Sequence, residues 1–241
     1  MTRTRKDSPT LPTARTARAP RVAAPQTGPS EIGSVKPDGQ WHHGDLRASL
    51  IQWGSHLLDT QGVDGMSLRA TARLAGVSQG APAHHFKDKN GLLAAIAAQG
   101  FRDMLAMRSA RRDSVAPDDA KARLRAVMLT YVEFAQAFPA RFHLMYGPQI
   151  ERRDDYAELV EAGRASFRLV RESVVPLLPA HYAGSLSHND IAFAVWAATH
   201  GLATLRMYHQ ASGSARVQQR KADQLCDVVV RFCLAGIGHV D

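Results

Sequence analysis

The sequence predicts an all-α protein of about nine helices, with a three-helix N-terminal domain that contains a helix-turn-helix and a larger helical C-terminal domain. After about residue 40, apolar residues recur three and four positions apart, which is the spacing of one face of an α-helix. Clusters of Gly, Pro and Asp separate these segments. No run of alternating apolar and polar residues indicates a β-strand.

The first 40 residues differ in composition from the rest of the chain. They contain six prolines and almost no large apolar side chains, so they bury too little surface to offset the entropy lost on ordering. We expect residues 1–40 to form a disordered basic tail. Two interpretations of this tail stay open: its arginines lie along DNA phosphates, or it is passive.

The next segment predicts the helices of a small domain. Helix one should run from about Asp45 to Thr60, with an apolar stripe that includes Leu50 and Trp53. A fourth helix should run from about 89 to 111, and a break at 113–119 should follow it.

Between these helices lies the most informative stretch of the chain, residues 67–89. Ser67 is a good N-cap for a second helix, and Gly76 is a residue that ends helices. Ser78 should cap a short third helix that closes at Phe86. Two helices joined by a short turn with a glycine form a helix-turn-helix, here at about 67–86, whose second helix fits the major groove of DNA.

The C-terminal half is also predicted to be helical. Helical segments are expected at about 119–138, then in a short turn or helix that Pro139 starts and Gly147-Pro148 ends, and then at about 154–178, 188–207 and 216–235. Pro176 and Pro179 should end the third of these segments, and residues 212–214, Ser-Gly-Ser, should separate the last two.

Charge divides the chain unevenly. The net charge is +8, of which residues 1–40 hold +4, residues 41–112 hold +4 and residues 113–241 hold none. A basic segment beside a neutral one favours a polyanionic partner bound by the basic part, although a solubilising charge bias is the alternative. No stretch approaches the ~18 consecutive apolar residues of a membrane span. The two cysteines, Cys226 and Cys233, suit helix packing in a reducing cytoplasm.

Residues 42–102 resemble the TetR family of bacterial transcriptional regulators. The resemblance rests on an amphipathic first helix followed by the strings SLR at 67–69, AGVS at 75–78 and HHFKDK at 84–89. Trp196, His200 and Gly201, with the WHHGDLR string at 41–47, resemble a subgroup with a Trp-x3-His-Gly signature in its C-terminal domain.

This resemblance implies a bacterial cytoplasmic homodimer, located at the nucleoid when bound to DNA. Residues 41–112 would bind double-stranded DNA, and residues 113–241 would bind a small molecule and dimerise through the last two helices. The implied function is a repressor that a small, largely apolar effector releases from a palindromic operator; activation is the alternative.

The candidate DNA contacts follow from residue chemistry and from position in the family. The Gln79 amide can pair with an adenine edge, and Gly80 and Ala81 allow close approach to the bases. By family position, the phosphates would be held by Ser67, Arg69, His85 and Lys89, and more weakly by Lys87. Pro82 and Ala83 depart from the family pattern, which often has Tyr at the second position, and His84 would replace part of that contact. The full candidate set is Ser67, Arg69, Ser78, Gln79, Gly80, Ala81, Ala83, His84, His85, Lys87 and Lys89.

Aromatic and apolar residues of the C-terminal helices predict a ligand pocket. The candidates are Tyr131, Phe134, Phe142, Met145, Phe167, Trp196 and His200. Trp196 and His200 are i, i+4 neighbours on one helix face, and their packing inside the core is the alternative.

The sequence lacks the motifs of a nucleophile, a phosphate-binding loop or a metal site. The adjacent pairs His42-His43 and His84-His85 would point about 100° apart on a helix, which disfavours a shared metal ion. We therefore expect no enzymatic activity, no cofactor and no metal.

Overall fold

The computed structural model describes residues 43–178, 186–211 and 215–237, and within these ranges it contains nine α-helices and no strand. The helices are α1 His43–Gln61, α2 Leu68–Leu74, α3 Ala81–Phe86, α4 Lys89–Asp113, α5 Ala120–Ala137, α6 Pro139–Tyr146, α7 Ala157–Val174, α8 His188–Ala211 and α9 Ala215–Ile237. The prediction of an all-α fold is confirmed. The predicted tail at 1–40, the break at 212–214 and Pro179 lie outside the described residues.

The ends of α2 confirm the predicted caps. The Ser67 side chain accepts a hydrogen bond from the Ala70 amide at 3.1 Å. At the other end Gly76 has φ +68°, and the amide of Val77 donates to the carbonyl of Ala72 at 3.0 Å. This i to i−5 bond with a left-handed glycine is a Schellman ending, which fixes the direction of the chain into the turn.

The start of α3 corrects the prediction for Ser78, which does not cap the helix. The helix begins at Ala81, and Gly80 occupies the N-cap position without a side-chain cap. The Ser78 carbonyl accepts from the Ala81 amide at 3.0 Å. Pro82 has no N–H with which to extend the helical bonding back to Ser78. Gln79 and Gly80 therefore lie in the turn before α3, not within it.

The ends of α7 also differ from the single predicted helix at 154–178. Short 3₁₀ turns occupy Arg153–Asp155 and Val175–Leu177 on either side of α7. Tyr156 interrupts the first junction with φ −103° and ψ 88°, outside the helical region. At the second junction Pro176 lacks an amide hydrogen and so cannot continue the α-helical bonds.

Helix α4 joins the two halves of the core. Its buried face includes Leu92, Ile96 and Met104, and it packs against α1, α5, α6 and α7. One hydrophobic cluster runs from Leu50 of α1 through α4 to Phe142 of α6. A second, smaller cluster joins α5, α7, α8 and α9. In the part of the chain that is described, no helix is long and apolar enough to cross a membrane.

Candidate DNA-binding surface and ligand cavity

The helix-turn-helix exposes most of the residues predicted to contact DNA. Eight of the eleven candidates are solvent-exposed, and the other three, Ala81, His85 and Lys89, are half-buried. The exposed candidates are Ser67, Arg69, Ser78, Gln79, Gly80, Ala83, His84 and Lys87. Phe86 is buried beneath them and fixes α3 to the core. This combination of a buried anchor and exposed polar residues leaves the outer face of α3 free for a partner.

The cations of this surface are available for an external anion. Arg69 and Lys87 are exposed and have no ion pair with any side chain that the structure describes. Elsewhere in the described chain nine arginines do pair with carboxylates. Arg73, which the sequence interpretation missed, is also exposed one turn after Arg69. Its i, i+4 spacing from Arg69 is the signal that indicates a shared face.

Lys89 has a different environment from the other candidate cations. Its Nζ atom donates a hydrogen bond to the Val63 carbonyl at 2.7 Å, so Lys89 is neither fully solvated nor paired with Asp88. The Asp88 carboxylate instead caps α4 by accepting from the Gly91 amide at 2.8 Å. Lys89 therefore ties the start of α4 to the loop after α1 and has two ammonium hydrogens left for another acceptor.

A cavity of about 560 Å³ lies between α7 and α8 in the C-terminal half. Its lining residues are Phe101, Tyr146, Gly163, Arg164, Ser166, Phe167, Arg168, Arg171, Asn189, Phe193 and Trp196. The size falls in the range of small-molecule sites, and the walls are mostly apolar, as in such sites. The arrangement is suited to holding an organic molecule of moderate size.

Only two of the predicted pocket residues, Phe167 and Trp196, line this cavity. The structure places the other five elsewhere: Tyr131, Phe134, Phe142, Met145 and His200. The first four are almost fully buried within the core shared by α4, α5 and α6. The sequence spacing identified their buried helix faces correctly, but it does not distinguish a face that packs against a helix from one that borders a cavity.

His200 belongs to a polar cluster inside this aromatic core. Its Nδ1 atom lies 2.8 Å from the Tyr131 hydroxyl, and the Trp196 indole N–H donates to the same hydroxyl at 3.3 Å. Desolvation by burial lowers the pKa of His200, and it raises the pKa of Tyr131. The alternative of packing inside the core therefore describes His200, while Trp196 takes part in both the core and the cavity wall.

The sequence interpretation missed the basic residues of the cavity. Arg164, Arg168 and Arg171 line it from α7, and Asn189 and Phe193 line it from α8. The arginines are spaced i, i+4 and i+7, which places them on one face of α7. That spacing alone equally fits a solvated helix face. The arginines are recognised as cavity residues only because α8 lies opposite this face of α7.

A metal site does not form in the described part of the chain. No three His, Cys, Asp or Glu side chains there come close enough together to hold a metal ion. Cys233 is buried and free, and the Cys226 side chain lies outside the described residues.

Comparison with known proteins assigns both halves to one family. Residues 50–96 match the family model described as bacterial regulatory proteins, tetR family, and residues 124–232 match the model described as tetracyclin repressor-like, C-terminal domain. The chain belongs to the TetR family. The first TetR-family segment lies on α1 to α4 and the second on α5 to α9.

Individual relatives agree with this assignment. The TetR-family chain is 40% identical over 82 residues to the HTH-type transcriptional regulator BetI of Burkholderia mallei (strain NCTC 10229), a match that covers 34% of this chain and 42% of BetI. The chain thus spans less than half the length of this curated relative.

Solved structures extend the likeness over more of the chain. A protein of unknown function from Rhodococcus sp. RHA1 is 32% identical with a TM-score of 0.67, covering 84% of this chain and 100% of that one. A TetR/AcrR-family regulator from Thermobifida fusca YX-ER1 has a TM-score of 0.58 over 80% of this chain and 98% of its own, and its 17% identity shows the fold alone.

Proposed function

We propose that this chain is a transcriptional regulator that binds a palindromic DNA operator as a homodimer and represses transcription until a small molecule releases it. The observation that carries the proposal is the surface of the helix-turn-helix, where Gln79, Arg69 and Lys87 are exposed while Phe86 is buried beneath them. Phosphate contacts position such a surface on DNA, and base contacts give it specificity. We assign no catalytic role to the chain.

The C-terminal helices supply the regulatory half of the proposal. The match of residues 124–232 to a tetracyclin repressor-like domain supports control by a ligand. The cavity between α7 and α8 supports a largely apolar effector, because Phe101, Phe167 and Trp196 form part of its wall. Residues 41–112 would then be the DNA-binding domain and residues 113–241 the effector-binding and dimerisation domain of a bacterial cytoplasmic protein.

We further infer that the chain belongs to the subgroup with the Trp-x3-His-Gly signature. The contacts of Trp196 and His200 with one hydroxyl, that of Tyr131, support this assignment. They give two residues of the signature a common structural role, which is to fix α8 against α5.

The proposed function is tested by selecting bound sequences from a random double-stranded DNA library with the full chain. The expected result is enrichment of an inverted repeat whose half-sites lie about one helical turn apart. A reporter gene placed behind the enriched sequence then distinguishes repression from activation. Enrichment of no sequence at all would overturn the proposal.

A matched pair of variants tests the role of Gln79 in the same selection. We predict that Gln79→Ala relaxes the preference at one position of each half-site by ~1–3 kcal/mol, because an amide contact with a base edge is lost. Gln52→Ala, which removes an exposed glutamine of α1, is the control. It should keep the sequence preference of the wild type. An unaltered preference in Gln79→Ala would exclude this residue from sequence readout.

A further inference from the structure

The cavity between α7 and α8 has an unbalanced charge. Three of its lining residues are arginines, Arg164, Arg168 and Arg171, and none is an aspartate or glutamate. Arg168 contacts Glu161 at 3.3 Å, whereas Arg164 and Arg171 have no carboxylate partner among the side chains that the structure describes. Both unpaired arginines are exposed at the rim, so their guanidinium groups can turn toward a bound molecule without breaking an existing ion pair.

A fourth arginine lies directly behind the cavity wall. Arg108 of α4 is 2% exposed, and its guanidinium donates to the Ser166 hydroxyl at 3.1 Å and to the Val127 carbonyl at 3.3 Å. It also lies 5.2 Å from the ring centroid of Tyr131. These acceptors are neutral, and no described carboxylate pairs with Arg108. Since Ser166 itself lines the cavity, an uncompensated positive charge stands one side chain away from it.

Apart from the arginines, the polar side chains of Ser166 and Asn189 and the hydroxyl of Tyr146, the wall is apolar and mostly aromatic. Phe101, Phe167, Phe193 and Trp196 present ring carbon to the cavity. The ring centroids of Phe193 and Trp196 are 5.3 Å apart, with the two rings steeply inclined to each other. The ring centroids of Phe167 and Trp196 are 6.5 Å apart. Such a wall buries a flat or chain-like hydrocarbon body.

We propose that the cavity binds an organic anion, a molecule with an apolar body and one carboxylate or other acidic group, and that this anion is the effector. The hydrocarbon body packs on Phe167 and Trp196, and the acidic group faces Arg164 and Arg171. The binding site itself is independent of DNA, whereas the role of the anion as effector rests on the proposed function.

Two fluorescent probes with almost the same skeleton test the charge preference. The anion is 1-anilinonaphthalene-8-sulfonate, and N-phenyl-1-naphthylamine is its uncharged counterpart. We expect the wild-type chain to bind the sulfonate about tenfold more tightly than the neutral amine, because charge-assisted hydrogen bonds form only with the anion. Equal affinities for the two probes would overturn the proposal.

Variants of the rim locate the preference. The double variant Arg164→Gln, Arg171→Gln should weaken binding of the sulfonate about fivefold and leave the neutral probe within about twofold. Arg152→Gln removes an exposed arginine outside the cavity and should change neither affinity. Both changes are on the surface, so a folded protein is expected. Unchanged affinity for the sulfonate in the double variant would overturn the assignment of the anion site.

A cavity-filling variant shows that the probes bind between α7 and α8. A methyl group at Gly163 would lie 3.9 Å from the Phe101 ring, an ordinary contact, so Gly163→Ala should fold and keep both probes. Gly163→Leu adds a branched side chain that occupies the cavity, and it should lose both probes at least about tenfold while its circular dichroism matches that of Gly163→Ala. Retained binding in a folded Gly163→Leu variant would place the probes elsewhere and overturn the proposal.

Failure here is distinguishable from failure of the proposed function. The DNA selection is carried out without probe, so an inverted repeat together with equal probe affinities would leave a DNA-binding regulator whose effector is not an anion. Conversely, if the sulfonate binds more tightly than the neutral amine but no DNA sequence is enriched, the anion site is supported and the proposed function is not.

Discussion

Lys87 and Lys89 carry the same charge two positions apart but have different contacts. Lys87 is exposed and has no ion pair with a described side chain, whereas the Lys89 ammonium donates to the Val63 carbonyl at 2.7 Å. A hydrogen bond from a charged donor contributes ~1.5–3 kcal/mol to stability when it is buried, and less at a half-exposed site. Substitution of Lys89 should therefore change both the stability of the domain and its affinity for DNA, whereas substitution of Lys87 should change only the affinity.

We predict that Lys89→Ala lowers the free energy of unfolding by ~1 kcal/mol, because the bond to Val63 is lost. Lys87→Ala, its matched control, should change that free energy by less than about 0.5 kcal/mol. Each variant should also flatten the dependence of log K on log salt by about 0.9 if the lysine contacts a phosphate. Urea denaturation and DNA titrations at several salt concentrations measure the two effects. An unchanged salt slope would remove that lysine from the phosphate contacts.

His200 makes stability depend on pH in a defined direction. Burial lowers its pKa in the folded state below the ordinary value of 6.5, so the unfolded chain takes up a proton first as the pH falls. The contribution of the neutral imidazole is therefore fully present above pH 6.5 and is lost as the pH falls through 6.5 toward the lower folded pKa.

We predict that His200→Gln reduces the loss of stability between about pH 7.5 and about pH 5.5 relative to the wild type. Urea denaturation at several pH values measures the slope, and His143→Gln, on the exposed face of α6, is the control. The same acid slope in wild type and His200→Gln would show that His200 is not the group responsible.

At the scale of elements, the fold constrains two glycines of the helix-turn-helix differently. Gly76 has φ +68°, and a methyl group added to its Cα would meet open space, so its constraint is the backbone. Gly80 has φ −83°, a value that any residue adopts, and it too has open space around it. The fold does not require glycine at position 80, so the proposed close approach of DNA to this turn can be tested there without loss of stability.

We predict that Gly76→Ala lowers the free energy of unfolding by ~1–2 kcal/mol, because alanine is strained in the left-handed region. Gly80→Ala should leave stability unchanged or raise it by up to ~1 kcal/mol through the smaller entropy of the unfolded chain. Its affinity for the selected operator should nevertheless fall, because the added methyl group would lie on the turn that we propose approaches DNA. Thermal denaturation and DNA titration of both variants check this pair, and full operator affinity in Gly80→Ala would argue against close approach there.

The elements differ in how well the sequence predicts them. Periodic spacing and local caps determine α2 and α4, so the roles of Ser67 and Gly76 follow from neighbours a few residues away. The start of α3 depends on whether Pro82 outweighs the capping preference of Ser78, and propensities alone do not decide that balance. The cavity depends on α7 meeting α8 at long range, so the roles of Arg164 and Arg171 could not follow from local spacing.

At the scale of the whole molecule, polar contacts link α7 and the residue just before it with α1 and α4. Arg47 of α1 donates to Glu158 of α7 at 2.8 Å and lies 5.6 Å from the ring centroid of Phe86 at the end of α3. Asn90, at the start of α4, donates to the Tyr156 hydroxyl at 2.7 Å just before α7 begins. Under the proposed function, a displacement of α7 by a ligand would therefore change contacts at both α1 and α4, on either side of the helix-turn-helix.

The other whole-molecule feature is an apolar surface on the last helix. Leu225, Val228 and Phe232 are spaced i, i+3 and i+7 on α9, and Phe232 is 76% exposed. Leu205 exposes further apolar surface on α8. Clustered apolar side chains of this size in contact with water indicate a surface that binds another protein. A second copy of α8 and α9 would cover this surface. The resulting dimer would also supply the second DNA-binding domain that a palindromic operator needs.

We predict that Phe232→Glu converts the protein to a monomer at low micromolar concentration, because a charge replaces the most exposed apolar side chain of this surface. Sedimentation equilibrium measures the mass, and Val175→Glu, at an exposed apolar residue outside α8 and α9, should remain dimeric. The monomer should bind the full operator about a hundredfold more weakly, because its DNA-binding domain is no longer linked to a second one that binds the other half-site. A Phe232→Glu protein that sediments as a dimer would exclude this face of α9 from the interface.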